Sequence, residues 1–230
     1  MIRFENVCLN RSQRRLLSHC DMTIEQGGFY ALTGENGSGK SSILLAILGE
    51  LAVTSGTINR GFGHGDYSYL PQRNQLDTQF PISVEQAVMA GLWSNFGANS
   101  AIGPKHFVRI EQALHEVGIA HLKQVSINQL SGGQLQRLLF ARMLVQDSAL
   151  LLLDEPLAAI DQKAQTILLD ILKAKQQRGA TILITLHDAG LVKRYASEQL
   201  HISNQKIHLC SADFSHSDDC CRPSISQRAS

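Results

Sequence analysis

Two hundred and thirty residues, 43% hydrophobic and 18% charged, suit one α/β domain with a modest insertion and need no disulfide or metal to hold a core. The formal charge of +1, from 21 Lys+Arg against 20 Asp+Glu, lacks the basic excess of a general nucleic-acid or anionic-lipid binder, so no nucleic acid is expected as a partner. The five cysteines (Cys8, Cys20, Cys210, Cys220, Cys221) are odd in number and lack framework spacing, which fits a reducing cytosol.

Met1 to Asn10 alternates polar and apolar residues without an apolar h-region, so no secretory signal is expected. Residues 2–9 and 17–24 are predicted as short strands, and Phe29 to Thr33 as an apolar strand running into a glycine-rich loop. A helix opens at Gly39-Lys40 and continues through the apolar stretch from Ser41 to Gly49. Its apolar run, Ile43 to Leu48, falls far short of the ~20 residues of a membrane helix, so any membrane role requires a partner. Tyr67 to Leu70 is predicted as a strand stopped by Pro71.

From about Val84 to Leu122 the pattern is helical, broken by Ser94 to Gly103 and by Pro104, and is predicted as a helical insertion in the α/β core. Gln134 to Val145 is helical, and Leu150 to Leu153 is a continuous apolar run of buried-strand type. Asp161 to Arg178 reads as an amphipathic helix ended by Gly179, Ala180 to Leu186 as a strand, and Asp188 to Tyr195 as a short helix. Gln199 to Ile202 and Lys206 to Leu209 form a hairpin around Ser203-Asn204-Gln205. Residues 211–230 are Ser/Asp-rich and are expected to be a disordered tail. Alternating strands and helices place the core in the parallel-sheet α/β class.

Gly34-Glu35-Asn36-Gly37-Ser38-Gly39-Lys40-Ser41, followed by Ser42, has the spacing of a phosphate-binding loop. Its glycines let backbone N–H groups turn inward around an anion, and the helix that follows points its positive end at the same charge. Lys40 is positioned for the β/γ-phosphates of a nucleotide and Ser41 for Mg²⁺. Leu150 to Leu153 ends in Asp154-Glu155-Pro156: Asp154 is the candidate Mg²⁺ ligand and Glu155 the candidate group that polarises an attacking water. Leu130-Ser131-Gly132-Gly133-Gln134 sets small residues at a second helix N-terminus, a second anion device. One nucleotide cannot easily use both devices of one chain. The economical arrangement is a head-to-tail dimer in which Ser131 and Gly133 of one copy close over ATP on the other.

With these motifs in this order, residues 1 to about 210 resemble an ABC ATPase. The resemblance implies a P-loop NTPase (RecA-like) core with an antiparallel β subdomain and an inserted α-helical subdomain at about 74–130, all in one domain over 1–210. It implies ATP and Mg²⁺ as cofactors and hydrolysis coupled to transport. Gln72, after Tyr69-Leu70-Pro71, matches the glutamine that links γ-phosphate and Mg²⁺ to the helical subdomain. Ala158-Ala159-Ile160-Asp161 resembles the loop whose aspartate contacts the opposite subunit, and His187 matches the histidine that senses the γ-phosphate. The family's usual adenine-stacking aromatic is replaced by Arg11. Either its guanidinium stacks on the base instead or that contact is absent, so ATP over GTP rests on the family alone.

Leu76-Asp77-Thr78-Gln79-Phe80-Pro81-Ile82-Ser83-Val84, followed by Val88 to Trp93, is similar to the ATPases of zinc/manganese importers, where this run faces the permease; Ser83 also suits a helix N-cap. The implied partners are a second ATPase subunit, integral membrane permease subunits and, indirectly, a solute-binding protein. The implied location is the cytoplasmic face of the inner membrane, reached through the permease. An importer of iron chelates or another small solute, or a soluble non-transport ABC ATPase, is the alternative. Cys210, His216, Asp218, Asp219, Cys220 and Cys221 are potential metal ligands without zinc-site spacing.

Overall fold

The computed structural model describes residues 1–63, 65–72, 80–95, 103–158 and 160–211. In chain order these give β1 (Ile2–Arg11), β2 (Arg14–Ile24), β3 (Phe29–Gly34), α1 (Lys40–Leu48), β4 (Ser55–Arg60) and β5 (Tyr67–Leu70). There follow α2 (Val84–Met89), a 3-10 turn at Ala90–Asn95, α3 (Pro104–Glu116) and α4 (Gly132–Leu144). The chain continues with β6 (Leu150–Leu153), α5 (Gln162–Gln177), β7 (Thr181–Thr185), α6 (Ala189–Tyr195), β8 (Glu198–Ser203) and β9 (Lys206–Ser211).

Two sheets result. The smaller is antiparallel in the order β2-β1-β4, and the larger runs β5-β6-β7-β3-β8-β9. In the larger sheet every pairing is parallel except that of β8 with β9. β3 therefore lies between β7 and β8, and the register Leu32↔Thr185 and Leu153↔Ile184 ends β3, β6 and β7 along one edge. The loops that follow these strands converge there, the usual place for a ligand in a parallel sheet.

The central strands β3, β6 and β7 of the larger sheet are buried almost throughout, so they are largely apolar. Phe29, Ala31, Leu151, Leu153, Ile182 and Ile184 pack into a core with the helices α2 to α5. Their strand neighbours Tyr30, Leu32, Leu150, Leu152 and Leu183 pack with α1 and the smaller sheet. That alternation is the two-residue period of a strand dividing its side chains between two cores.

The hairpin strands run beyond the predicted 2–9 and 17–24, since Asn10↔Arg15 and Arg11↔Arg14 continue the pairing around the turn at Ser12 (φ 55°). Those side chains are polar and mostly exposed, so no apolar alternation marks the extension. β4 has no counterpart in the sequence reading because Ile58 is its one buried residue. Pro104 does not break a helix but opens α3 at its first position, where a missing N–H costs nothing. Ser83 caps α2 and Ser131 caps α4, each with a glutamine three residues on that reaches back to the cap backbone. α4 packs against α2, α3 and β5, tying the helical layer to the sheet.

Among the described residues no helix is long and apolar enough to cross a membrane, and no cluster of three His, Cys, Asp or Glu could hold a metal. The predicted tail lies outside the described residues, apart from Ser211 at the end of β9. So do Leu76 to Gln79 and Ala159 of the motifs above, and the tail's His216, Asp218, Asp219, Cys220 and Cys221.

Candidate nucleotide site

A cavity of about 920 Å³ opens at the edge where β3, β6 and β7 end. One wall is the β1–β2 hairpin, with Arg11, Ser12, Arg14 and Leu16. The floor is the loop after β3 and the start of α1, with Asn36, Gly37, Gly39, Lys40, Ser41 and Ser42. The far wall carries Gln72, Glu155 and His187.

The floor depends on glycine at two positions. Gly39 has φ 105°, and a Cβ there would lie 3.2 Å from Leu16 Cδ1. Gly34 has φ 142°, and a Cβ there would lie 2.9 Å from the Ile202 carbonyl oxygen. Lys40, only 6% exposed, folds back so that Nζ donates to the carbonyls of Gly34 (2.9 Å) and Glu35 (3.0 Å). Burial holds its ammonium below the ordinary lysine range, and Glu155 and Asp154 pull it back up. Ser38 Oγ is buried without a hydrogen-bond partner. A desolvated cation and an orphaned hydroxyl in one glycine loop fit a polyphosphate.

Asp154 is 1% exposed. Burial pushes its carboxyl above the usual range, while hydrogen bonds from Ser41 and Thr185 and the charge of Lys40 oppose the shift and Glu155 adds to it. The Ser41 hydroxyl and the Asp154 carboxylate, with the Gln72 amide on the same cavity, are hard oxygen donors of the kind Mg²⁺ takes.

Glu155 sits at φ 48°, in the left-handed region that a non-glycine residue enters at a cost. It is held from three sides. Its N–H donates to Thr185 Oγ1, its Oε2 accepts from Gln72 Nε2 at 2.7 Å, and His187 Nε2 lies 3.3 Å from Oε1. Arg11 Nη1 donates to Ser42 Oγ at 3.1 Å.

Ser131, Gly132, Gly133, Gln134 and Asp161 do not line this cavity. Ser131 and Gln134 exchange cap hydrogen bonds of 3.3 and 2.9 Å, and Asp161 caps α5 by accepting from the Ala164 N–H at 2.9 Å. Arg137, on α4, pairs with Asp161 at 3.1 Å, and Gln136 Nε2 donates to the Pro156 carbonyl at 2.9 Å. The capping hydrogen bond first and Arg137 after it hold the Asp161 carboxyl below its ordinary range.

Thr185 is the residue that sequence reasoning missed. Buried at the end of β7, its hydroxyl donates to Asp154 Oδ1 at 3.3 Å and accepts from the Glu155 N–H, so it positions both acids. A polar residue at the end of a buried strand, next to His187, was the available signal. Thr185→Val is expected to destabilise the chain by about 1–3 kcal/mol, because it strands a buried N–H. Denaturant unfolding checks this, and phosphate release should fall with it.

A sequence model of the ABC transporter family matches residues 17–158. The zinc transport system ATP-binding protein TroB of Treponema pallidum is 34% identical over 212 residues, covering 90% of this chain and 79% of that protein. The manganese transport system ATP-binding protein MntB of Halalkalibacterium halodurans is 32% identical over 212 residues, covering 90% of this chain and 84% of its own. Among solved structures, a metal-chelate-type ABC transporter in an inward-facing conformation has a TM-score of 0.79 at 26% identity, over 92% of this chain and 83% of that one.

Proposed function

Since the chain belongs to the ABC transporter family, as an ATP-binding subunit, we propose that it hydrolyses ATP to drive import of zinc or manganese. The observation that carries the chemistry is Glu155, clamped between Gln72 and His187 beside the lysine of a glycine loop.

The P-loop N–H groups and Lys40 take the β- and γ-phosphates, whose charge replaces the carbonyl partners of Nζ. Ser41, Asp154 and Gln72 hold Mg²⁺, which when bound neutralises phosphate charge. Glu155 accepts hydrogen bonding from the attacking water and draws its proton as the water oxygen forms the new bond to phosphorus. His187 holds the γ-phosphate, and Thr185 keeps the Glu155 backbone in place. ADP and phosphate are the products. The rate comes from positioning and electrostatics, so each group is worth orders of magnitude.

Ser131, Gly132, Gly133, Gln134 and Asp161 lie off the cavity, which supports a homodimer in which a second copy presents its Ser131 loop to this nucleotide. The helical subdomain, about 74–130, then moves with nucleotide and pulls on permease subunits, with a solute-binding protein acting indirectly. Phe80 and Trp93, 63% and 66% exposed at the start of the helical layer, support a permease contact there and a location at the cytoplasmic face of the membrane. The likeness to a metal-chelate-type transporter favours a chelated metal as the second reading of the cargo.

The test of cargo is growth of a strain lacking this gene in chelator-treated medium, with zinc or manganese restored separately. Rescue by one of the two is the expected result. Rescue by an iron chelate alone would replace the zinc or manganese assignment.

A further inference from the structure

We propose that Arg14 is a second nucleotide-contacting residue, and that Arg11 and Arg14 together form a clamp that grips the nucleotide by charge and stacking without reading the base. This rests on the ATPase reading above.

Arg11 and Arg14 stand directly opposite each other in the β1–β2 register, across a two-residue turn, and both line the nucleotide cavity. Like charges in that relation repel, and among the described residues neither forms an ion pair. An anion between them turns that repulsion into attraction.

Each guanidinium has a distinct address. Arg14 Nη1 lies 3.6 Å from the point a Cβ on Gly37 would occupy, so it hangs over the phosphate loop. Arg11 is tethered in its own plane by its hydrogen bond to Ser42 Oγ, which leaves the flat face of the group free to stack. Among the described residues the lining contains no Phe, Tyr or Trp, and Leu16 is its apolar contribution. Stacking on a flat cation tolerates any base, since every base has a π face. The two arginines offer donors only, and both purines carry ring-nitrogen acceptors. A site built this way binds GTP much as it binds ATP, and its affinity falls steeply with salt.

Displacement of a fluorescent ATP analogue from the full chain, with ATP or GTP as competitor, measures the clamp. Phosphate release under saturating nucleotide supplies kcat. The wild type should bind the two nucleotides within about threefold of each other. Arg14→Ala should weaken both by about tenfold, lower kcat by less than it lowers affinity and flatten the salt dependence. Arg14→Lys, which keeps the charge and loses the plane, should fall between. Unchanged affinity in Arg14→Ala at wild-type melting temperature overturns the proposal, as does a wild-type preference for ATP above about thirtyfold. A wild-type chain that binds neither nucleotide overturns the ATPase reading itself, and the clamp with it.

Discussion

Glu155→Gln is expected to lower ATP hydrolysis by on the order of 10²–10⁴-fold while ATP binding stays near wild type. Glu155 is held by three contacts: the Thr185 hydroxyl on its backbone N–H, Gln72 on Oε2 and His187 beside Oε1. An amide keeps the size and one acceptor oxygen, so the loop can stay in place at its φ of 48°. What it loses is the charge that orders water and takes up its proton. Steady-state phosphate release gives the rate and nucleotide displacement gives the affinity. Normal turnover in this variant would remove Glu155 from the reaction and leave the Gln72 and His187 contacts without a catalytic purpose.

Lys40→Ala is expected to be comparably severe by another route, with nucleotide affinity and turnover falling together by on the order of 10²–10³-fold. Lys40 is buried, and burial already disfavours its charge. In the folded chain its Nζ is satisfied by two loop carbonyls at 2.9 and 3.0 Å, a weaker match for an ammonium than a polyphosphate oxygen. The fold has little to lose, since the substitution removes a desolvated charge from the interior. Thermal unfolding of Lys40→Ala should therefore lie near wild type while analogue binding collapses. Retained binding would mean that the loop amides and the arginine pair suffice to hold the nucleotide.

Elements with a strong local physical requirement were legible in the chain. Leu150–Leu153 reads as a strand and is one with the same limits, because a strand buried on both faces tends to a continuous apolar run. The α5 helix starts where Asp161 can cap it and ends before Gly179, whose φ of 99° suits glycine. β4 was not legible. Its pairing with β1 is made by backbone, and Ile58 is its one buried side chain, so composition carries no trace of it. The site divides in the same way. The glycine loop and the acidic strand end are contiguous motifs with a local chemical logic, whereas Thr185 acts through its neighbour strand. Its role depends on β6 and β7 being paired in the register Leu153↔Ile184, which no local pattern states. Arg14 was hidden for the same reason: its position opposite Arg11 follows from the hairpin register, and a pair of adjacent arginines in sequence looks like a solvated turn.

A nucleotide shared between two copies is tested most directly by light scattering on Glu155→Gln, with and without Ser131→Arg, in saturating ATP. The single variant should double in mass with ATP, and the double variant should bind ATP with the same affinity yet remain a monomer. Ser131 lies off the cavity of its own chain, so its loss should spare that chain's nucleotide and forbid the partner's. Equal dimerisation of both variants, or a Glu155→Gln chain that stays monomeric in saturating ATP, would contradict the shared site.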